Sequence, residues 1–350
     1  MGVHNVQQLL DVPRLKFRYL TGVGDRIRKE IRERAKRLAQ LRPDLVPGGA
    51  TKDGQGIASL DRLAEQLLPH RPAGDERPED RILGGYLGLE PADGAPAWPN
   101  AGDAARAAGV ARSAIANTLE AARNRWHKSA DLNALRTELA GLLAAAGGVA
   151  SAEELAVQLL AARGSVEEDE PERARLTRAV LRAAAELEAS VSSVRFAAYA
   201  EATPVLFAAS PELAAYARRL GAVADRFAAE ETPPSPARIE EALASLAPPG
   251  GIPLPQGRVL RLAAAASQLA ALSARLELYP RGMPADRALR LSLGALAGPQ
   301  MLTERVIRER VRGRFPEAAA LPPRPELDAL LDSVGAERVW REDRPDGPGY

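Results

Sequence analysis

Residues 101–123 read AGDAARAAGVARSAIANTLEAAR. Ala104, Ala105 and Ala108 put small groups on one side of a short helix, Gly109 interrupts it, and Val110 and Ile115 place larger apolar groups beyond the break. Alanine lets two helices cross closely, and glycine accepts the positive φ that a tight turn between them needs. The spacing predicts a helix-turn-helix whose second, recognition helix runs over about Ser113–Arg123 with Ser113 as its N-cap. Thr118 falls where an apolar residue is usual, and a slight rotation brings Leu119 into that role. On this reading Arg112, Ser113, Ala116 and Asn117 face the major groove, while Arg123, Arg125 and Lys128 reach phosphates. Between Arg106 and Lys128 there are five basic residues and one acid, which favours a polyanion. A packing hairpin rich in alanine is the competing reading.

Toward the N-terminus, Leu20-Thr21-Gly22-Val23-Gly24-Asp25-Arg26-Ile27-Arg28-Lys29-Glu30-Ile31 joins a glycine hairpin to a basic amphipathic helix. Gly22 and Gly24 allow close backbone approach, and the helix start offers unpaired N–H groups and a positive dipole end to a phosphate. Residues 14–42 hold eleven Lys/Arg and three Asp/Glu, so Arg26, Arg28, Lys29 and Arg32 belong to a strongly basic segment. Leu20, the Gly22–Gly24 hairpin and Ile31 resemble the helix-hairpin-helix family, which implies grip on a nucleic-acid backbone without base reading. Arg28 stands where that family often has a small residue. A purely structural hairpin remains the alternative.

Toward the C-terminus, ALRTELAGLLAAAGG (134–148) is echoed by ARIEEALASLAPPGG (237–251), with six of fifteen positions equal. After the first copy, Ser151-Ala152-Glu153-Glu154 forms a capping-box pattern. A third, looser copy begins near Leu289, with Thr303 capping Glu304–Arg314. Each copy reads as helix, turn, helix, third helix and short extended segment, the order of a winged helix. The acidic run Glu167–Glu172 would repel DNA from the first copy, which suits a spacer or a protein-binding piece.

Aromatics are only 4 % and alanine is abundant, which predicts a mainly α, multi-domain chain with at most short β wings. Its expected parts are a helix-hairpin-helix (1–45), a linker with short helices (46–97), the helix-turn-helix (98–130), a winged-helix-like unit (131–230) and one or two more (231–350). The absence of cysteine excludes thiolate metal sites and disulfides. His4, His70 and His127 are scattered, no P-loop or kinase motif occurs, and no apolar run approaches membrane-spanning length. We expect a cytoplasmic, non-enzymatic protein without cofactor or metal, whose partner is duplex DNA. A regulatory scaffold that binds other proteins is the alternative.

Four stretches, LLDVPRLKFRYLTGVGDRIRKEI, AARAAGVARSAIANTLEAARNRW, ELYPRGMPADRALRLSLGAL and RVRGRFPEAAALPPRPELDALL, resemble the C-terminal region of the PglW family. These are large serine/threonine kinases of bacterial phage-growth-limitation and BREX defence systems. The resemblance implies a defence context, with a kinase or other defence proteins as partners. The kinase core is missing here, so the resemblance does not extend kinase activity to this chain.

Overall fold

A computed structural model describes residues 57–69, 77–90, 96–231, 234–252, 254–255, 257–298, 301–336, 338–342 and 348–350. The hairpin expected over residues 1–45 lies outside them. The fold is mainly α, with thirteen α-helices and five three-residue strands among the described residues. The chain divides into two compact units at Ser210/Pro211.

Among the described residues the first unit holds α1 (Leu60–Glu65) and α2 (Pro78–Leu87), followed by α3 (Ala101–Ala108) and α4 (Arg112–Trp126). Asn100 accepts from the N–H groups of Gly102 and Asp103 at 2.8 and 2.9 Å, and Asp103 accepts back from Asn100 N–H at 3.1 Å. This closed box starts α3. Gly109 ends it at φ 65°, a left-handed conformation that a Cβ would strain.

Next come α5 (Ala130–Ala145), β1 (Val149–Ser151), α6 (Ala152–Arg163), α7 (Glu170–Glu188), β2 (Ala197–Tyr199) and β3 (Leu206–Ala208). The strands form an antiparallel sheet in the order β1-β3-β2, with Ala150 and Ala198 both opposite Phe207. The predicted box at Ser151 is present: its hydroxyl accepts from Glu154 N–H at 3.1 Å, and Glu154 accepts from Ser151 N–H at 3.0 Å. Helix α7 is central, packing on α1, α2, α4, α5 and α6. Its Glu188 is fully buried, accepting from Arg136 of α5 at 2.8 Å and from the Arg195 guanidinium and N–H at 2.8–2.9 Å. Burial pushes this carboxyl up, but the bonds from Arg195 and Arg136 outweigh it and hold its pKa at about 2.

In the second unit, α8 (Pro211–Ala228) crosses α10 (Arg258–Ala266) so closely that a Cβ on Gly221 would stand 2.3 Å from Ala266 O. Between them lie α9 (Pro236–Ala244), capped by Ser235, and a 3-10 turn at Pro249–Gly251. An antiparallel hairpin follows, β4 (Ala270–Leu272) with β5 (Leu278–Pro280). Helix α8 packs on α10 and on both hairpin strands. The chain ends with α11 (Ala285–Leu296), α12 (Glu304–Arg314) and α13 (Glu326–Ser333).

One order of elements occurs three times. A helix leads to a Ser- or Thr-capped helix (caps Ser151, Ser235 and Thr303), then a third helix, then a hairpin or its remnant. In the last copy Leu302 and Tyr350 exchange both backbone bonds at 2.9 and 3.1 Å, and Arg341 and Gly349 do so at 2.8 and 3.0 Å. The terminal segment therefore lies between two neighbours, as β3 lies between β1 and β2. The sequence echo does not follow this repeat. It aligns α5, the first helix of its copy, with α9, the second helix of the next.

Candidate nucleic-acid interface

Helices α2, α3 and α4 pack on one another, and α4 contributes two unlike faces. Ile115, Leu119, Ala122 and Trp126 are buried, with Leu119 in the place Thr118 leaves half-filled. Arg112, Ser113, Ala116, Asn117 and Glu120 are exposed. The spacing of the buried set follows the helical period, so the exposed set forms a continuous stripe along the first half of α4. On α3, Arg106 is exposed and pairs with Asp103 at 3.5 Å.

The start of α4 differs from the expectation. Its N-cap is Ala111, whose side chain makes no capping bond, while Ser113 lies inside the first turn and faces solvent. The extended Ala111, at φ −70° and ψ 149°, turns the chain into the helix one residue after Val110. The N-cap position before Arg112 is therefore taken by an alanine, which has no hydroxyl to offer.

The second half of α4 is anchored. Arg123 pairs with Glu186 of α7, and Arg125 Nη2 donates to Leu67 O at 2.5 Å. The same carbonyl accepts from Trp126 Nε1 at 3.1 Å. Arg123 and Arg125, the residues expected to reach phosphates, bond here to the protein's own carboxylate and backbone. Lys128, past the helix end, is exposed. Gly22, Gly24, Arg26, Arg28, Lys29 and Arg32 lie outside the described residues.

Sequence reasoning missed the groups that seat α4. Tyr86 of α2 donates to Glu186, the carboxylate that also receives Arg123. Burial raises the Tyr86 phenol above its usual pKa, against the pull of Arg182. The Arg182 guanidinium lies 3.7 Å from the Tyr86 ring centroid and 5.3 Å from that of Trp98, within cation–π range. Trp98 meets Phe207 of β3 edge-on at 6.0 Å. The Arg182/Glu186 spacing, which puts both on one face of α7, was the available signal.

The third helices of the repeated units differ: α7 exposes no arginine and the charged residues that α13 exposes are acids, whereas α10 exposes Arg261. None of the four arginines of α7 is exposed. The β4–β5 turn is pinned, since Ala274 N–H donates to Arg314 O at 3.0 Å and Arg314 Nη2 meets both Glu277 oxygens at 3.0 and 3.1 Å. On α13 the exposed charged residues are Glu326 and Asp332. No helix among the described residues is long and apolar enough to cross a membrane.

No family model matches the chain, and no solved structure matches it. It is 32 % identical, over 388 aligned residues, to a protein of Streptomyces coelicolor described as "Probable kinase PglW". The alignment takes in 91 % of this chain and 25 % of that protein, so the chain spans about a quarter of the relative's length. The likeness to PglW drawn from the four sequence stretches thus holds over nearly the whole chain.

Proposed function

We propose that this chain is a non-enzymatic DNA-docking module of a bacterial defence protein, cytoplasmic and related to part of PglW. The carrying observation is the two-faced α4: its second half is bonded to Leu67, just past α1, and to α7, and its first half has Arg112, Ser113 and Asn117 exposed. A helix held at one end over a three-helix base, with polar side chains on its free N-terminal half, suits base reading in a major groove. Lys128 would add a phosphate contact, and the basic segment at residues 14–42 would add backbone grip of the helix-hairpin-helix kind.

The test is fluorescence anisotropy of the full chain on random duplex at two salt concentrations. Three to five phosphate contacts give a log–log salt slope of about −3 to −4. Absence of binding, or a flat salt response, overturns the reading. A second reading, the protein-binding scaffold, is favoured by the pinned β4–β5 turn and the enclosed α7. Tight capture of a defence kinase by a chain indifferent to DNA would establish it instead.

A further inference from the structure

Helix α7 turns Arg182 and Glu186 toward α2 and α4, and Glu186 serves both helices at once. It accepts from the Tyr86 hydroxyl of α2 and from the Arg123 guanidinium of α4, with its side chain 17 % exposed. Charge-assisted bonds of this kind are stronger and more directional than neutral ones. Arg182 is 4 % exposed, and its Nε and Nη1 have no hydrogen-bond partner. It is held against the rings of Tyr86 and Trp98, so it keeps Tyr86 in register with the carboxylate. Nothing local to residues 101–128 supplies this seat, because the acceptor lies 63 residues from Arg123 and 100 from Tyr86.

We propose that Glu186 is a positioning residue for α4: one carboxylate joins α2 and α4 to α7 and sets the angle at which Arg112, Ser113 and Asn117 are presented. The inference rests on the DNA-docking reading and names what tunes it. Replacing Glu186 with alanine leaves the Tyr86 hydroxyl and the Arg123 guanidinium without their shared acceptor, and α4 then tilts on its remaining anchor at Leu67 O. Sequence preference depends on the placement of base-reading groups, whereas phosphate affinity tolerates small tilts.

The test uses the full chain as parent, Glu186→Ala and Glu186→Gln, each put through randomised-duplex selection, salt titration and amide hydrogen exchange. Glu186→Ala should lose about tenfold in discrimination between selected and random sites, with a salt slope within about half a unit of the parent. Exchange over 112–122 should rise. Glu186→Gln keeps an acceptor carbonyl and should recover most of the discrimination, a rescue that general loss of packing would not show. Equal discrimination and equal exchange in parent and Glu186→Ala overturn the proposal. A parent that selects no motif defeats the DNA reading. Exchange then decides the positioning claim alone, and unchanged protection of 112–122 in Glu186→Ala defeats it. Should circular dichroism show Glu186→Ala unfolded, Tyr86→Phe, which removes one donor, takes its place under the same criteria.

Discussion

Helices α4 and α7 are both arginine-bearing and lie in the same unit, yet their side chains meet opposite fates. Helix α7 carries Arg173, Arg175, Arg178 and Arg182, and none of them is exposed, because five other helices pack around it. Helix α4 carries Arg112, Arg123 and Arg125, and only Arg112 is exposed. Arginine in this chain is as much a packing residue as a surface one. Its long stem fills space between small alanines, and its head satisfies carboxylates and helix-end carbonyls. Counting basic residues along a helix therefore overstates the surface offered to DNA. The bare first half of α4 differs from α7 in having no described element packed over it, not in holding more charge.

The contrast can be broken most severely at α7. Glu188→Ala removes the fully buried acceptor of Arg136 and Arg195. We expect a loss of about 3–5 kcal/mol in the stability of the first unit, since breaking a buried pair strands its partners. Denaturant unfolding followed through Trp126 and Trp98 measures it. The same carboxylate predicts an acid dependence. Its folded pKa of about 2 lies below the ordinary 4.5, so its contribution is fully present above about pH 4.5 and fades as pH falls toward 2. A parent whose stability is constant from pH 5 to pH 2.5 would contradict this.

The inward arginines of α4 come next. Arg125→Ala should cost roughly 1.5–3 kcal/mol, the value of a charged hydrogen bond, here to the carbonyl of buried Leu67, and leave the salt slope of DNA binding unchanged. A slope reduced by about one, with stability intact, would restore Arg125 as a phosphate contact.

Smaller effects separate the two serines that the sequence marks as helix starts. Ser151 caps α6 in a closed box, so Ser151→Ala should destabilise by about 1 kcal/mol. Ser113 caps nothing, so Ser113→Ala should stay within about 0.5 kcal/mol of the parent in thermal unfolding. Any effect of Ser113→Ala should show in DNA selection instead.

Those two serines also mark what was legible in the sequence. The turn at Gly109, the buried Ala104, Ala105 and Ile115, the box at Ser151 and the cap at Thr303 all follow from patterns within a few residues. The cap of α4 was misplaced because serine's preference outweighed the turn geometry, which brings Arg112 into the helix directly after Ala111. The protein partners of Arg123 and Arg125 were not legible locally, because Glu186 and Leu67 lie 63 and 58 residues away. The echo of 134–148 in 237–251 matched two alanine-rich helices with different places in the repeat, since small residues and a Gly-Gly end recur wherever helices pack closely. Local chemistry thus reached the helices and their ends, while the orientation of each helix depended on contacts far along the chain.

The most direct test is amide hydrogen exchange of the full chain with and without a duplex at low salt. We expect new protection over 109–120, the turn and the bare half of α4, with α11–α13 unchanged. DNA-dependent protection confined to α11–α13, or bound duplex that leaves 109–120 exchanging as in the free protein, would contradict it.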